Sequence, residues 1–253
     1  MEKKYVILPD FKISPLCNTE VEFSGMDSYT ECRNKPHFKK YPYKISYKYN
    51  SRGFRDEEWP EDLENCVWCF GDSFTKGIGQ SYEHTWPKML QTQTGCRTIC
   101  VSMDGASNNW ISRKIVELVS TIKPKAVIVQ WSFINRRERV LSPGEVQSDE
   151  DRRIQYLKDS THEDDLQNTL ECIDRATQAC EIAETKLIHS FIPEFIDIKN
   201  INTFFFNFNK SGKLWVPLSK KDLARDGFHY DVKTAQPFVD KLVKYLNQQK
   251  IIL

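Results

Sequence analysis

Short, uninterrupted apolar runs alternate with longer amphipathic stretches along most of the chain, and this order restricts the fold more than any other feature. Continuous apolar runs of this length, rich in β-branched and aromatic residues, are typical of strands that are buried on both faces. The four runs are Cys66–Phe70, Arg97–Val101, Ala126–Trp131 and Lys186–Ile192. We therefore predict four buried strands at these positions.

A stripe of apolar residues with helical spacing follows each run. The stripes comprise Trp86, Met89 and Leu90, then Ile111–Ile122, Leu166–Ala183 and Val239–Leu246. Strand–helix order repeated in this way predicts right-handed crossovers and a mostly parallel sheet with helices on both faces. We therefore predict an α/β three-layer sandwich with a sheet of about five strands, the fifth supplied by Lys213–Pro217.

Two regions fall outside this alternation. Residues 1–60 are rich in Tyr, Lys and Pro, and residues 136–165 are strongly charged. We interpret 1–60 as an amino-terminal extension packed on the core and 61–253 as the α/β domain itself. We interpret 136–165 as a solvated insertion that precedes the third helix.

The near-neutral charge balance argues against two classes of partner, nucleic acids and anionic membranes. The 36 Lys and Arg residues against 35 Asp and Glu residues leave a net charge of +1, so we expect neither nucleic acid nor an anionic membrane surface as a partner. Mean hydropathy is −0.56, and no apolar run is long enough for a membrane span. Since the first residues also lack the apolar region of a secretory signal, we expect a cytoplasmic protein.

Eight cysteines are spread through the sequence, and we expect them to be reduced. Cys66 and Cys69 have thiol-redox spacing, yet redox pairs lie at a helix start and this pair lies in a predicted strand. A thiol-redox protein therefore stays a minor alternative, which predicts a reversible Cys66–Cys69 disulfide. No other Cys or His pair has zinc-site spacing, so we expect no metal and no cofactor.

Polar residues of types that serve in catalysis follow the first apolar run directly, in Gly71-Asp72-Ser73-Phe74-Thr75. In parallel sheets the working residues gather at the carboxyl ends of the strands. Ser73 would be a nucleophile there if a base lay within hydrogen-bond reach. The same residues would equally well start a helix or shape a turn.

A candidate base precedes the last helix, in Asp226-Gly227-Phe228-His229. An Asp three residues before a His can hold the imidazole through Nδ1, which leaves Nε2 free to take a proton from a serine. The bland alternative is that His229 is a cap or surface residue, and His84 is a second candidate base near Ser73. Gly105 and Asn135, which follow the second and third runs, would donate hydrogen bonds to an oxyanion or simply form turns.

These four elements together resemble the SGNH, or GDSL-type, hydrolase superfamily, whose order is Ser, Gly, Asn and then Asp-x-x-His. The resemblance runs from about Cys66 to Leu246, and Asn50–Asp56 looks like a stretch found upstream of the nucleophile strand in some members. It implies a flavodoxin-like α/β sandwich and a serine esterase that needs no metal or cofactor.

The resemblance also implies a role for each motif residue. Ser73 would be the nucleophile, His229 the base and Asp226 the residue that orients His229. The N–H groups of Ser73 and Gly105 and the side chain of Asn135 would form the oxyanion hole.

The third element departs from the family's Gly-x-Asn-Asp pattern, because the chain reads Ser132-Phe133-Ile134-Asn135. Counted from Pro124, the family's Asn falls nearer Ile134 than Asn135. Loss of one oxyanion donor costs roughly 10²–10³ in turnover, so an esterase lacking it would be slow or would bind without turnover.

Residues that flank the motifs are candidates for binding the substrate. We expect Asp72, Asn108 and Phe228 to contact it. The arginines that follow Asn135 would either contact an acidic or sugar ligand or form a solvated charge run; these are Arg136, Arg137 and Arg139.

Two functions of different classes follow. The first is a serine hydrolase that cleaves a small-molecule or glycan ester, including an O-acyl group on a carbohydrate. The second is a weakly active or inactive SGNH-like module that binds a glycan or a protein partner, for example in a virus particle. A large distance between Ser73 and His229, or a buried Ser73, would favour the second. The oligomeric state does not follow from the sequence.

Overall fold

The computed structural model describes residues 11–138, 153–154, 160–192, 204, 208 and 210–252. The strands, in chain order, are β1 (Glu20–Val21), β2 (Tyr47–Lys48), β3 (Val67–Gly71), β4 (Thr98–Ser102), β5 (Ala126–Trp131), β6 (Arg137–Glu138), β7 (Arg153–Ile154) and β8 (Leu187–Phe191). The α-helices are α1 (Thr30–Arg33), α2 (Pro36–Lys40), α3 (Ser73–Lys76), α4 (Trp86–Thr94), α5 (Asn108–Val119), α6 (His162–Ile182) and α7 (Val232–Gln248). Within the described residues, 3₁₀ turns lie at Ser14–Leu16, Gly25–Ser28 and Tyr82–His84.

A four-stranded sheet with the order β4-β3-β5-β8 forms the centre of the fold, and all its strand pairs are parallel. These are the four strands that the apolar runs predict, which confirms the predicted α/β class. The order places β3 and β5 in the interior of the sheet. The loops after β3, β4 and β5 therefore meet at one edge.

Helices cover both faces of this sheet, as the alternation predicts. On one face, α5 and α6 pack with Trp68, Phe70 and their neighbours in the larger apolar cluster. On the other face, α4 and α7 pack with Val67, Cys69 and their neighbours. Alternate residues of β3 thus enter opposite layers, which is why the run is apolar throughout.

Local sequence signals set the ends of these helices. The Ser107 side chain caps α5 by accepting a hydrogen bond from Trp110 N, and Thr161 and Asp164 form a capping box at the start of α6. Gly95 ends α4 in the left-handed conformation, with φ +67°. Helix α6 begins at His162, four residues before Leu166, the first apolar position of the predicted stripe.

The fifth strand is the main difference from the predicted sheet. At Lys213–Pro217 the described chain makes only an isolated parallel bridge, between Trp215 and His189 of β8. His189 N donates to Leu214 O and Val216 N donates to His189 O. Pro217 follows directly and has no N–H to continue the ladder. The predicted strand is therefore reduced to one bridge.

The charged stretch 136–165 is only partly within the described residues. Its described ends form the short antiparallel pair of β6 and β7 and the start of α6. Arg136 is buried, so that residue is not part of a solvated charge run. Arg139 lies outside the described residues.

The described part of residues 1–60 packs into the central core. Phe11 contacts Trp68 and Phe70 of β3, with ring centroids 6.2 and 6.4 Å apart. Gly53 has φ +81°, and a Cβ there would lie 2.2 Å from Ile13 O, so this tight turn requires glycine. The boundary of the predicted domain at residue 60 stays a prediction.

Cys66 and Cys69 are buried in different apolar clusters, on opposite faces of the sheet. All eight cysteines are free. Burial raises the pKa of Cys66 to about 11 and holds that of Cys69 well above its ordinary value. Two inert thiols that point into different layers do not suit a redox pair. No helix in the described part of the chain is long and apolar enough to cross a membrane.

Candidate active site

Ser73 lies in a tight turn between β3 and α3, at the carboxyl edge of the sheet. Asp72 is the N-cap of α3, and its side chain accepts a hydrogen bond from Phe74 N. A Cβ on Gly71 would lie 2.0 Å from Thr75 Oγ1, so glycine is required for the close approach of the turn. The local sequence thus fixes Ser73 as the first residue of the helix, with its hydroxyl at this edge.

The structure brings Ser73, His229 and Asp226 together, although Ser73 and His229 are 156 residues apart. Ser73 Oγ and His229 Nε2 are 2.8 Å apart, and His229 Nδ1 and Asp226 Oδ2 are 2.5 Å apart. All three residues are buried. The other candidate base, His84, instead packs against the ring of Tyr43.

The Asp226 side chain is also held by the backbone of the residues that follow it. Asp226 Oδ1 accepts hydrogen bonds from Phe228 N and His229 N, both at 3.0 Å. Burial acts to raise the pKa of Asp226, but the hydrogen bond and charge of His229 outweigh it and the pKa lies below its ordinary value. An ionised carboxylate accepts the Nδ1 proton of the imidazole, which leaves Nε2 as the acceptor that faces Ser73.

Two backbone N–H groups at this edge have no acceptor within the described chain. They belong to Ser73, at the first position of α3, and to Gly105, in the loop after β4. Gly105 is buried and has φ +68°, the left-handed conformation that favours glycine. These are the two backbone donors that the resemblance assigns to an oxyanion hole, and that role stays a prediction.

The loop after β5 differs from the family pattern in its contacts as well as in its sequence. Arg136 N donates to Phe133 O and closes a turn. Within that turn Ile134 is buried and Asn135 is exposed. The proposed role of Asn135 as an oxyanion donor stays a prediction.

A buried polar network occupies the position where this loop meets Ser73. Asp72 Oδ2 accepts hydrogen bonds from Ser132 Oγ and Arg136 Nη1, both at 2.7 Å. Asn108 holds the same loop, because its amide oxygen accepts from Ser132 N and its amide nitrogen donates to Ser132 O and Thr169 Oγ1. Asp72 and Asn108 thus bond to the chain itself, and substrate binding by either stays a prediction.

Sequence reasoning missed the partnership of Arg136 with Asp72. The residues are 64 positions apart, and no local pattern joins them. The signal that was available is the acidic residue beside the candidate nucleophile, since a buried carboxylate requires a cation or several donors. Arg137 likewise pairs with a buried carboxylate, that of Asp165, at 3.0 Å.

Replacing Arg136 with methionine is expected to destabilise the fold by about 3–5 kcal/mol, because it leaves the Asp72 carboxylate buried and uncompensated. The control is Lys123→Met, which opens the exposed ion pair between Lys123 and Glu184 and should cost about 1 kcal/mol or less. Urea unfolding at neutral pH measures both free energies. Equal losses in the two variants would contradict the importance of the Arg136–Asp72 pair.

Aromatic rings surround the imidazole of His229. Phe74 lies 4.5 Å from it and Phe228 lies 5.1 Å from it, between ring centroids. Phe133 extends the group, 6.1 Å from Phe74. Phe228 is 38% exposed, so it offers an apolar surface next to the triad. Its contact with substrate stays a prediction.

Ser73 itself is only 2% exposed. Of the features that would favour a binding module, the structure therefore has a buried Ser73 but not a large distance between Ser73 and His229.

His189 is the histidine that lies in the central sheet, in β8. It is a buried core residue whose Nδ1 accepts a hydrogen bond from Trp131 Nε1 at 3.0 Å. Burial lowers the pKa of His189 to about 3, so its ring is neutral. Among the residues that the structure describes, no three His, Cys, Asp or Glu side chains are grouped to hold a metal ion.

The fold is similar to those of solved GDSL-type hydrolases. A protein assigned to the lipolytic G-D-S-L family from Desulfitobacterium hafniense DCB-2 matches with a TM-score of 0.51 and 15% identity, over 71% of this chain and 98% of that one. A family two carbohydrate esterase from Clostridium thermocellum, solved in complex with cellohexaose, matches with a TM-score of 0.51 and 12% identity, over 78% of this chain and 68% of that one. No protein-family model and no curated protein matches the sequence. At these identities the likeness is one of fold, and it confirms the fold that the motifs imply.

Proposed function

We propose that this protein is a serine hydrolase of the SGNH type that cleaves a carboxylic ester through a Ser73–His229–Asp226 triad. The observation that carries the proposal is the 2.8 Å contact between Ser73 Oγ and His229 Nε2, with Nδ1 of the same ring 2.5 Å from Asp226 Oδ2. A nucleophile, its base and the residue that orients the base are thus joined by two consecutive hydrogen bonds. The fold shared with GDSL-type hydrolases supports the same reaction class.

The proposed reaction proceeds in two halves through an acyl-enzyme. Ser73 Oγ attacks the ester carbonyl carbon while its proton passes to His229 Nε2, and Asp226 stabilises the imidazolium that forms. The tetrahedral intermediate then expels the alcohol, which takes the proton from Nε2. In the second half His229 removes a proton from water, the water attacks the acyl carbon, and Ser73 recovers its proton as the carboxylic acid leaves.

The negative charge of the tetrahedral oxygen would be held by the N–H groups of Ser73 and Gly105. Both are free of acceptors within the described chain, so they are available without breaking an existing hydrogen bond. Asn135 is the proposed third donor, but its side chain is exposed and must turn inward to serve. If it does not, the missing donor would cost roughly 10²–10³ in turnover.

The proposed substrate is a neutral O-acyl ester, with a carbohydrate as the alcohol. The exposed ring of Phe228 supports this choice, since it supplies an apolar surface next to His229 for an acyl group or a sugar face. The carbohydrate esterase from Clostridium thermocellum, which shares the fold, was solved with cellohexaose. The near-zero net charge of this chain also suits a neutral substrate better than a polyanion.

The alternative is a weakly active or inactive module that binds a glycan or protein, and the burial of Ser73 favours it. The hydrogen-bonded triad argues against it, since buried polar groups aligned in this way serve no evident binding purpose.

Hydrolysis of p-nitrophenyl acetate separates the two functions. We expect wild-type protein to release p-nitrophenolate well above the buffer rate and to remove acetyl groups from acetylated xylo-oligosaccharides. Release of acetate, measured against heat-denatured protein, controls for spontaneous hydrolysis. Rates equal to that control with both substrates would contradict the esterase proposal and leave the binding module.

A further inference from the structure

The loop that carries Asp226 and His229 is held from outside the α/β domain by residues of the amino-terminal segment. His37 Nε2 is 3.0 Å from Leu223 O at the start of this loop. The main contact is a buried ion pair between Asp27 and Arg225, which are 198 positions apart. Arg225 immediately precedes Asp226, so the ion pair fixes the backbone next to the triad.

The Asp27–Arg225 pair has the geometry of a specific connection. Arg225 Nε donates to Asp27 Oδ1 at 2.9 Å, and Arg225 Nη2 donates to Asp27 Oδ2, so the guanidinium binds the carboxylate with two parallel hydrogen bonds. The guanidinium carbon of Arg225, Cζ, lies 5.2 Å from the ring centroid of Phe23 and 4.6 Å from that of Phe38. Asp27 is fully buried. Bidentate, desolvated pairs of this kind fix orientation more strongly than exposed ones.

A second connection runs through Tyr47. Tyr47 Oη donates to Asp27 Oδ2 at 2.8 Å and accepts from Gly79 N at 2.8 Å. Gly79 O in turn accepts from Arg225 N at 2.8 Å. Asp27, Tyr47 and Gly79 thus form a closed set of hydrogen bonds around Arg225.

Gly79 packs directly against the loop that carries Asp226 and His229. It has φ +77°, and a Cβ there would lie 3.1 Å from Asp226 Cγ and 2.9 Å from Ala224 Cβ. The backbone at Gly79 therefore lies directly against Asp226, and the side chain of the neighbouring Arg225 is anchored by Asp27. A shift of the loop would change the distance from His229 Nε2 to Ser73 Oγ.

We propose that Asp27 and Tyr47 are positioning residues of the esterase, which hold the Asp226–His229 loop in register with Ser73 by anchoring Arg225. The inference rests on the proposed function and adds to it a role for the amino-terminal segment. Neither residue touches the reacting atoms. Since a misplacement of about 1 Å can cost roughly 10²-fold in rate, loss of the anchor should lower kcat and leave KM unchanged.

The test compares two buried carboxylates that each pair with an arginine. Asp27→Asn removes the charge of the anchor with little change of shape. Asp56→Asn is the matched control, because Asp56 is buried and binds Arg97 with two hydrogen bonds at a site that has no contact with the triad loop. Both variants should lose thermal stability. Only Asp27→Asn should lower kcat for p-nitrophenyl acetate, by about tenfold or more, with KM within about twofold of wild type.

Tyr47→Phe keeps the inference testable if Asp27→Asn does not fold. It removes only the hydroxyl that joins Asp27 to Gly79, and a several-fold lower kcat with unchanged KM is expected. A kcat within twofold of wild type in the folded variants, or an equal loss in Asp56→Asn, would overturn the positioning role while wild-type activity stands. A wild-type protein without esterase activity would instead overturn the proposed function and this inference with it.

Discussion

Ser73→Ala is expected to lower kcat for p-nitrophenyl acetate by at least about 10⁴-fold, because it removes the only atom proposed to bond to the acyl group. Ser73 Oγ is the group that His229 Nε2 faces at 2.8 Å. What activity remains would come from the oxyanion donors and from binding alone. A continuous assay of p-nitrophenolate release measures the change in kcat.

Ser102→Ala is the matched control for this variant. Ser102 is also buried, with the same 2% exposure, and it ends β4 at the same edge of the sheet. Its hydroxyl contacts Cys100 Sγ and not the triad. We expect its kcat to stay near that of wild type. A Ser73→Ala variant within tenfold of wild type would show that Ser73 is not the nucleophile.

Asp226→Asn is expected to lower kcat at neutral pH by about 10⁴-fold with little change in the fold. The Asn amide would donate to His229 Nδ1, so the imidazole would carry its proton on Nε2. A protonated Nε2 cannot accept the proton of Ser73 Oγ. The loss therefore arises from the wrong tautomer, and it should appear in kcat.

The matched control is Asp222→Asn, in the same loop. Asp222 forms an exposed ion pair with Lys233, so its loss should change stability by about 1 kcal/mol or less and kcat hardly at all. Steady-state kinetics of the two variants side by side measures the difference. If both variants lose activity to the same degree, the loop requires negative charge in general and Asp226 has no special role.

The core of the fold was predictable because the pattern of apolar residues along the chain indicates which residues are buried. Continuous apolar runs mark β3, β4, β5 and β8 within one residue of their observed ends, since each strand is covered on both faces. The candidate triad was predictable for a related reason. Ser73 follows β3 and the Asp226–His229 motif precedes α7, and topology brings both to one edge.

The contacts that the sequence did not predict all join distant positions. Arg136 binds Asp72 and Arg225 binds Asp27, and no pattern in either segment identifies its partner. The fifth strand was overpredicted at Lys213–Pro217, since an apolar run does not show how many residues actually pair. The loop after β5 diverges from the family pattern, so the role that the resemblance gives to Asn135 stays a prediction.

Covalent labelling with a fluorophosphonate tests the central claim most directly, because this reagent reacts much faster with a base-activated serine than with an ordinary one. Ser73 Oγ would displace fluoride at phosphorus and keep the phosphonyl group, which mass spectrometry of peptides locates. We predict a single label on Ser73 in wild-type protein and none in His229→Ala. No label on wild type, or a label that persists unchanged in His229→Ala, would contradict a Ser73 activated by His229.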